Sequence, residues 1–295
     1  MYVSDFTYLR PKNLEEALDL LQNKDDAVAL AGGTDLLVEL KTGVRLCSHL
    51  VSLADVEEFK FIKEDEKSIQ IGAGITHSQI MQSSLVKEHI PALALAASKI
   101  GSHQVRNNGT LGGNICSAAA CCDSAPVLIS LNAQIEILDA TNKKIIPLED
   151  LFQGNKINTL KKGQLVSKVI IPKTGKGTGV HYEKFGLREA MAVSVVSVSV
   201  MLKIKNESIE NASVVIGAVA PTPKVSVAAV GILIGTPTHL LVEKSDPILR
   251  VSEAAVGDSI PIDDIRGGAQ YRRDVLFSLT QRCILKALES AQKNV

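Results

Sequence analysis

Two short stretches carry the residue types best suited to holding a ligand: AGGTDL at Ala31 to Leu36 and GTLGGN at Gly109 to Asn114. Glycine has no Cβ, so a ligand can approach its backbone N–H groups, and it reaches φ > 0 without steric cost. Successive amides in such turns form anion-binding nests. Thr110 and Asn114 add side-chain hydrogen-bonding groups at the second stretch. The small residues Ser117, Ala118, Ala119 and Ala120 follow, and a large group could lie against that backbone. Asp123 ends the run with an acceptor-only carboxylate suited to hydroxyl donors. One such loop is weak evidence. Two are better explained by one extended ligand, such as a dinucleotide, whose pyrophosphate meets backbone amides in both turns. The alternative is a pair of glycine turns between core elements. Asp35 sits badly against phosphate and reads as a helix N-cap or as a contact to ligand hydroxyls, the cap being favoured.

A protein nucleophile or metal site is not visible. His49, His77, His89, His103, His181 and His239 are scattered without HExxH spacing, and no GxSxG elbow occurs. There is no CxxC pair among Cys47, Cys116, Cys121, Cys122 and Cys283, so this chain lacks an iron–sulfur or zinc set. The clustered Cys116, Cys121 and Cys122 read as small buried residues. A cleft that binds a redox cofactor needs no protein nucleophile, because the cofactor carries the chemistry.

The elements around these stretches alternate. Asn13 to Glu16 and Thr76 to Gln79 have capping-box spacing and open helices. Strands are expected at Ala27 to Ala31 and Leu50 to Leu53, with a short helix from Leu36 to near Gly43 between them. The first 55 residues thus form a βαβ-type unit with AGGTDL at a strand's C-terminal end, where α/β units place ligands. Further strands are expected at Phe59 to Ile62, Ile69 to Gly72, Gln134 to Leu138, Lys144 to Pro147 and Leu165 to Ile171, with helices at Ala92 to Lys99 and from near Pro126. Pro172 to Gly179 (PKTGKGTG) lacks phosphate-loop spacing and reads as a linker. Beyond it, Val180 to Phe185, Val193 to Lys205 and Ser213 to Val219 alternate like a half-buried antiparallel sheet. A last helix covers Tyr271 to Gln292.

Composition bounds the function. The 295 residues suggest two domains at about 150 residues each. Lys+Arg and Asp+Glu are both 32, which argues against nucleic acid or an anionic membrane as partner. Aromatics are 3%, with no Trp, so the core is aliphatic and stacking platforms are few. No apolar run reaches the roughly 18 residues of a membrane span, and no secretory signal is visible. Five cysteines, an odd count, suggest reduced thiols and a cytoplasmic protein.

In order along nearly the whole chain, AGGTDL, IGAGITHSQI, SHQVRNNGTLGGNICSAAACCDSAP, YEKFGLREAMAVSVVSV, IGAVAPTPK and GAQYRRDV resemble the FAD-binding (medium) subunit of molybdenum hydroxylases, the group of xanthine, carbon monoxide and nicotinate dehydrogenases. KFGLREAMA (Lys184 to Ala192) and GGNIC are most similar to bacterial xanthine dehydrogenase FAD subunits. The resemblance implies an α+β fold: a two-lobed FAD-binding domain of the vanillyl-alcohol-oxidase (PCMH) type over 1–175, with lobes at about 1–55 and 56–175. A smaller domain of antiparallel sheet plus helices, of the CO dehydrogenase flavoprotein type, follows over 176–295. It implies FAD contacts at Ala31, Gly32, Gly33, Thr34, Asp35 and Leu36 in the first loop and at Thr110, Gly113, Asn114 and Ser117 in the second. Asp123 would reach cofactor hydroxyls, with Ile100, Gly101 and Ser102 alongside, Leu165 or Val166 near the isoalloxazine ring, and Lys184 on a strand.

The implied activity is that of an oxidoreductase subunit: electrons pass from [2Fe-2S] clusters through flavin to NAD⁺ or another acceptor, during oxidation of xanthine or another N-heterocycle. Five cysteines fall short of the roughly eight that two such clusters need, so an iron–sulfur subunit and a molybdopterin subunit are the implied partners. A carbon monoxide dehydrogenase-type subunit and a free-standing FAD oxidoreductase of the same fold are the competing readings. Arg188 and Glu189 border the acceptor side of the flavin or form a surface pair.

Overall fold

The computed structural model describes residues 5–294. Strand β1 (Thr7–Leu9) is followed by helix α1 (Leu14–Asn23), β2 (Ala27–Leu30), α2 (Leu36–Thr42) and β3 (His49–Ser52). The three strands pair in parallel in the order β1-β3-β2. Ala17, Leu18 and Leu21, spaced on one face of α1, bury against this sheet's Val51 and the neighbouring Phe59. The α1 N-terminus is only partly the expected capping box. Asn13 Oδ1 accepts from Glu16 N–H at 2.9 Å, but the Glu16 carboxylate takes the N–H of Lys12 instead of Asn13.

The second lobe follows with β4 (Ile62–Glu64), β5 (Ser68–Gly72), α3 (His77–Gln82), α4 (Ser84–His89), α5 (Pro91–Ser98), α6 (His103–Asn108), α7 (Leu111–Cys116) and α8 (Ser124–Ser130). It continues through β6 (Gln134–Leu138), β7 (Lys143–Pro147), β8 (Phe152–Gly154), β9 (Ile157–Asn158) and β10 (Leu165–Pro172). An antiparallel sheet runs β4-β5-β10-β6-β7, while β8 and β9 pair separately. Phe59, expected in a strand, lies in a 3₁₀ turn over Glu57–Phe59. At α3 the capping box is complete, with Thr76 accepting from Gln79 N–H and the Gln79 side chain accepting from Thr76 N–H.

The last third holds β11 (Thr178–Phe185), β12 (Val196–Lys205), β13 (Ser208–Gly217), β14 (Lys224–Val225), α9 (Val227–Leu233), α10 (Asp246–Gly257) and α11 (Ala269–Lys293). Its strands form one antiparallel sheet in chain order. The β12–β13 turn is made by Asn206 and Glu207, both at positive φ (50° and 60°), as a tight hairpin turn requires. One face of the sheet packs on α9, α10 and α11 around Val198, Val200, Val214, Ile216, Leu276 and Ile284. The other face joins the core of the second lobe, which takes in Tyr182 and Val215.

The linker expected over Pro172 to Gly179 is shorter, since Thr178 and Gly179 already belong to β11. A Cβ at Gly179 would lie 2.2 Å from the Ala287 carbonyl oxygen and the Ala291 nitrogen. That glycine therefore serves strand–helix packing, not chain flexibility. No helix among the described residues is long and apolar enough to cross a membrane.

Candidate functional site: a seam between two glycine turns

The two glycine stretches meet. A Cβ at Gly32 would lie 2.0 Å from the Asn108 carbonyl oxygen, and one at Gly113 would lie 3.9 Å from the Ala31 Cβ. Thr34 Oγ1 is 3.4 Å from where a Gly109 Cβ would be. The glycines divide by purpose. Gly32 and Gly112 are required by packing, Gly112 because its Cβ would strike Ala73 at 2.6 Å. Gly33 is required by its φ of +70°. A Gly113 Cβ would meet only Thr110 Oγ1, at 3.0 Å, before the gap to Ala31.

The stretches also offer different groups. In the first, the amides of Gly32, Gly33, Thr34 and Asp35 donate no hydrogen bond among the described residues. These are the unpaired donors that an anionic group needs. The second stretch is not an open turn, as its glycines suggest, but the start of a short helix. Thr110 is its N-cap and accepts from Gly113 N–H at 3.0 Å. Most of its other amides are taken: Gly109 donates to Val105 O, Leu111 to Ile75 O, Gly112 to Ala73 O and Asn114 to Thr110 O. What remains there is the Thr110 N–H, which donates no hydrogen bond among the described residues, the hydroxyl hydrogen of Thr110 and the amide NH₂ of Asn114.

Asn114 is oriented by its own neighbours. Its Oδ1 accepts from Ser124 Oγ at 2.6 Å and from Cys122 Sγ at 3.0 Å, which turns the NH₂ outward. Burial pushes the Cys122 thiol up to about 12, so it stays a donor. Cys122 thus has a role beyond its size. Burial likewise drives Cys116 up to about 12. The Ser117 hydroxyl turns back to donate to Asn114 O at 2.8 Å.

Asp35 differs from expectation. It is exposed, its φ and ψ of −104° and −52° are already helical, and its carboxylate caps nothing. An N-cap needs extended backbone to bring its side chain over the first-turn amides. Leu36 packs beside Leu40 and Leu50.

Asp123 lies at the entrance to α8, 6% exposed. Its Oδ2 accepts from Lys184 Nζ at 2.6 Å, and its Oδ1 accepts from Tyr182 Oη at 2.8 Å and from Ser194 Oγ. A carboxylate offers about four lone-pair directions, so one direction on Oδ2 has no donor among the described residues. Lys184 and Tyr182 are two apart on β11 and therefore share a face. Burial first, and the neighbouring Asp123 second, raise the Tyr182 hydroxyl well above its ordinary value, so it remains a donor. Neither Tyr182 nor Ser194 was singled out by sequence. The i, i+2 spacing to Lys184 could have flagged Tyr182, whereas nothing in the sequence flags Ser194.

Ile100, Gly101 and Ser102 continue from the C-terminal end of α5. Lys184 Nζ donates to Lys99 O at 2.9 Å, and buried Arg106 donates to Ile100 O and Gly101 O at 2.8 and 3.3 Å. Lys99 is the C-cap of α5, where the helix dipole favours the Lys184 ammonium. Ser102 caps α6, accepting from Val105 N–H. His77, 2% exposed, packs beside Gly109. Burial first, then the Arg106 charge, push it down to about 4. Leu165 and Val166 open β10 and are absorbed by two separate cores, Leu165 with Ala17 and Val51, Val166 with Val169 and Ile171.

A separate cleft of about 240 Å³ is lined by Leu187, Arg188, Met191, Ala192, Val193 and Arg266. Met191 N–H donates to Gly101 O at 3.3 Å, which ties this loop to the seam. Arg188 does not pair with Glu189 among the described residues. Its guanidinium donates to Met191 O at 3.2 and 2.8 Å.

Free amides, an oriented Asn NH₂ and a buried carboxylate with an unpaired acceptor direction are the groups that a long ligand carrying phosphates and hydroxyls needs. Comparison with known proteins names the family. Residues 4–174 match the family described as "FAD binding domain in molybdopterin dehydrogenase", and residues 181–287 match the "CO dehydrogenase flavoprotein C-terminal domain". The chain belongs to the FAD-binding medium subunits of the molybdenum hydroxylases. It is 30% identical to the glyceraldehyde dehydrogenase medium chain of Sulfolobus acidocaldarius, over 96% of this chain and 98% of that one. It is 28% identical to the xanthine dehydrogenase FAD-binding subunit of Escherichia coli O157:H7, over 97% of each. Among solved structures, carbon monoxide dehydrogenase from Hydrogenophaga pseudoflava superposes with a TM-score of 0.93 at 27% identity, covering 98% of this chain and 99% of that one. The α+β architecture expected of the family is the one observed.

Proposed function

We propose that this chain is the electron-transfer subunit of a multi-subunit molybdenum hydroxylase that oxidises xanthine or another N-heterocycle and passes the electrons to NAD⁺. Its partners are an iron–sulfur subunit and a molybdopterin subunit. The observation that carries the reading is the run of free amides from Gly32 to Asp35, set against Thr110 and Asn114 across the seam. Backbone N–H groups suit a diphosphate because they bring positive potential with no ammonium or guanidinium to bury. Asp123 offers its Oδ2 acceptor to a cofactor hydroxyl, and the Lys184 ammonium at 2.6 Å holds that carboxylate in place. When bound, FAD supplies the conversion between single-electron delivery from the clusters and hydride transfer to a nicotinamide. The side chains of this chain bind and orient.

Similarity to the xanthine dehydrogenase subunit, with the family's division of labour among subunits, supports the substrate class and the partners. The acceptor reading is supported by the cleft at Leu187 to Val193, where Arg188 and Arg266 flank an apolar floor. Such a floor suits a nicotinamide ring and such flanks its phosphates. The test is an absorbance scan of the purified complex under anaerobic conditions. Bleaching of the flavin bands by NADH supports the reading. Bleaching by the hydroxylase substrate but never by NADH refutes NAD⁺ as acceptor. Stoichiometric turnover of carbon monoxide, with none of any N-heterocycle, favours the carbon monoxide dehydrogenase-type reading.

A further inference from the structure

We infer that Tyr182 and Ser194 are positioning residues of the FAD site, acting through the Asp123 carboxylate. The inference rests on the reading that Asp123 meets a cofactor hydroxyl, and it extends the cofactor site into the C-terminal domain. Asp123 belongs to the region matched by the FAD-binding family, whereas all three of its donors, Tyr182, Lys184 and Ser194, belong to the region matched by the C-terminal family.

The carboxylate can rotate about its Cβ–Cγ bond unless both oxygens are held. Lys184 alone, a flexible ammonium with three rotatable donors, holds one of them. The two hydroxyls hold the other from directions set by rigid elements. Tyr182 lies in β11 with its ring buried in the second-lobe core, and Ser194 precedes β12. Both take Oδ1. This leaves the open lone pair on Oδ2 in one direction, beside Lys184 and next to the Lys99–Gly101 segment that Lys184 and Arg106 brace. Without them the carboxylate keeps its charge partner but loses its fixed plane, and a ligand hydroxyl must order it on binding.

The test uses the full-length protein, reconstituted with FAD, and reads the FAD dissociation constant by fluorescence. Tyr182→Phe keeps the ring and removes only the hydroxyl, and Ser194→Ala is its independent counterpart. Each is expected to weaken FAD binding about five- to tenfold, the size of one charge-assisted hydrogen bond's ordering effect. Asp123→Asn alone should weaken it as much or more. In the Asp123→Asn background, adding Tyr182→Phe or Ser194→Ala should cost less than twofold further, because the group they position is already changed. Ser130→Ala is the control. Its hydroxyl pairs with Ser199 at 2.9 Å between the same two regions but touches nothing at the seam, so it should lower the melting temperature without moving FAD affinity.

FAD affinity within twofold of wild type in both Tyr182→Phe and Ser194→Ala, while Asp123→Asn loses it, overturns the inference and leaves the Asp123 reading standing. Additive losses in the double variants also overturn it, since they show an effect that does not run through Asp123. Unchanged affinity in Asp123→Asn refutes the underlying reading and the inference together.

Discussion

Replacing Lys184 by methionine removes one charge from a pair whose side chains are only 6% and 8% exposed. Methionine preserves the length and apolar character of the lysine stem, so the change isolates the ammonium. That group donates to Asp123 Oδ2 at 2.6 Å and to Lys99 O at 2.9 Å. Removing one partner of a buried ion pair costs about 3–5 kcal/mol, because the remaining charge has neither water nor counter-ion. Here Tyr182 and Ser194 still donate to the carboxylate, which places the cost at the low end, about 3 kcal/mol. At about 2 °C per kcal/mol for a chain of this size, the FAD-free protein should melt roughly 6 °C lower. Asp123→Asn added to Lys184→Met removes the stranded charge and should recover about half to two-thirds of the loss. Urea unfolding of the single and double variants, with the denaturant slope unchanged, measures both quantities. A single-variant loss below about 1 kcal/mol, the range of an exposed surface pair, would refute the claim that this pair is desolvated. A double variant less stable than Lys184→Met would refute the claim that charge stranding is the cause.

Two further perturbations probe the seam from other sides. His77 is held down to about 4 in the folded protein, against about 6.5 when unfolded, so the unfolded chain binds the extra proton first. Stability is therefore complete above pH 6.5 and lost as pH falls toward 4, by about 3 kcal/mol in all. His77→Gln should flatten that loss in urea midpoints taken at pH 7, 5.5 and 4, and an equal slope in both proteins contradicts the assignment. Gly113→Val should fold and lose stoichiometric FAD, since its side chain points to the gap between the two stretches. Gly32→Ala should fail by destabilisation instead, its Cβ meeting the Asn108 carbonyl at 2.0 Å. Circular dichroism and flavin content on both variants separate the two kinds of glycine, and a well-folded, FAD-loaded Gly113→Val sinks the distinction.

Much was determined by sequence alone. Periodicity and capping placed α1, α3 and α11, and alternation placed β12 and the second half of β13, because these depend on interactions within a few residues. The first residues of β13, Ser208 to Ala212, were not expected in a strand. The two glycine stretches were visible as candidate ligand turns for the same reason, and ordered motifs along the chain were enough to indicate the family. What the glycines do was not legible. Gly32, Gly112 and Gly179 answer to backbone atoms of residues remote in the chain, and only Gly113 is left facing the gap. The helix hidden in GTLGGN was missed because two glycines lower helix propensity, while the Thr110 cap and the carbonyls of Ala73 and Ile75 fix it regardless. Asp123 was legible as a carboxylate near the site, but its three donors lie 59 to 71 residues away. Only the packing of the C-terminal sheet against α5 and α8 brings them to it. Local sequence decides where a turn or cap can form; which amides stay free and which oxygen of a buried carboxylate stays open is decided by what distant chain segments cover, and that exists only once the protein has folded.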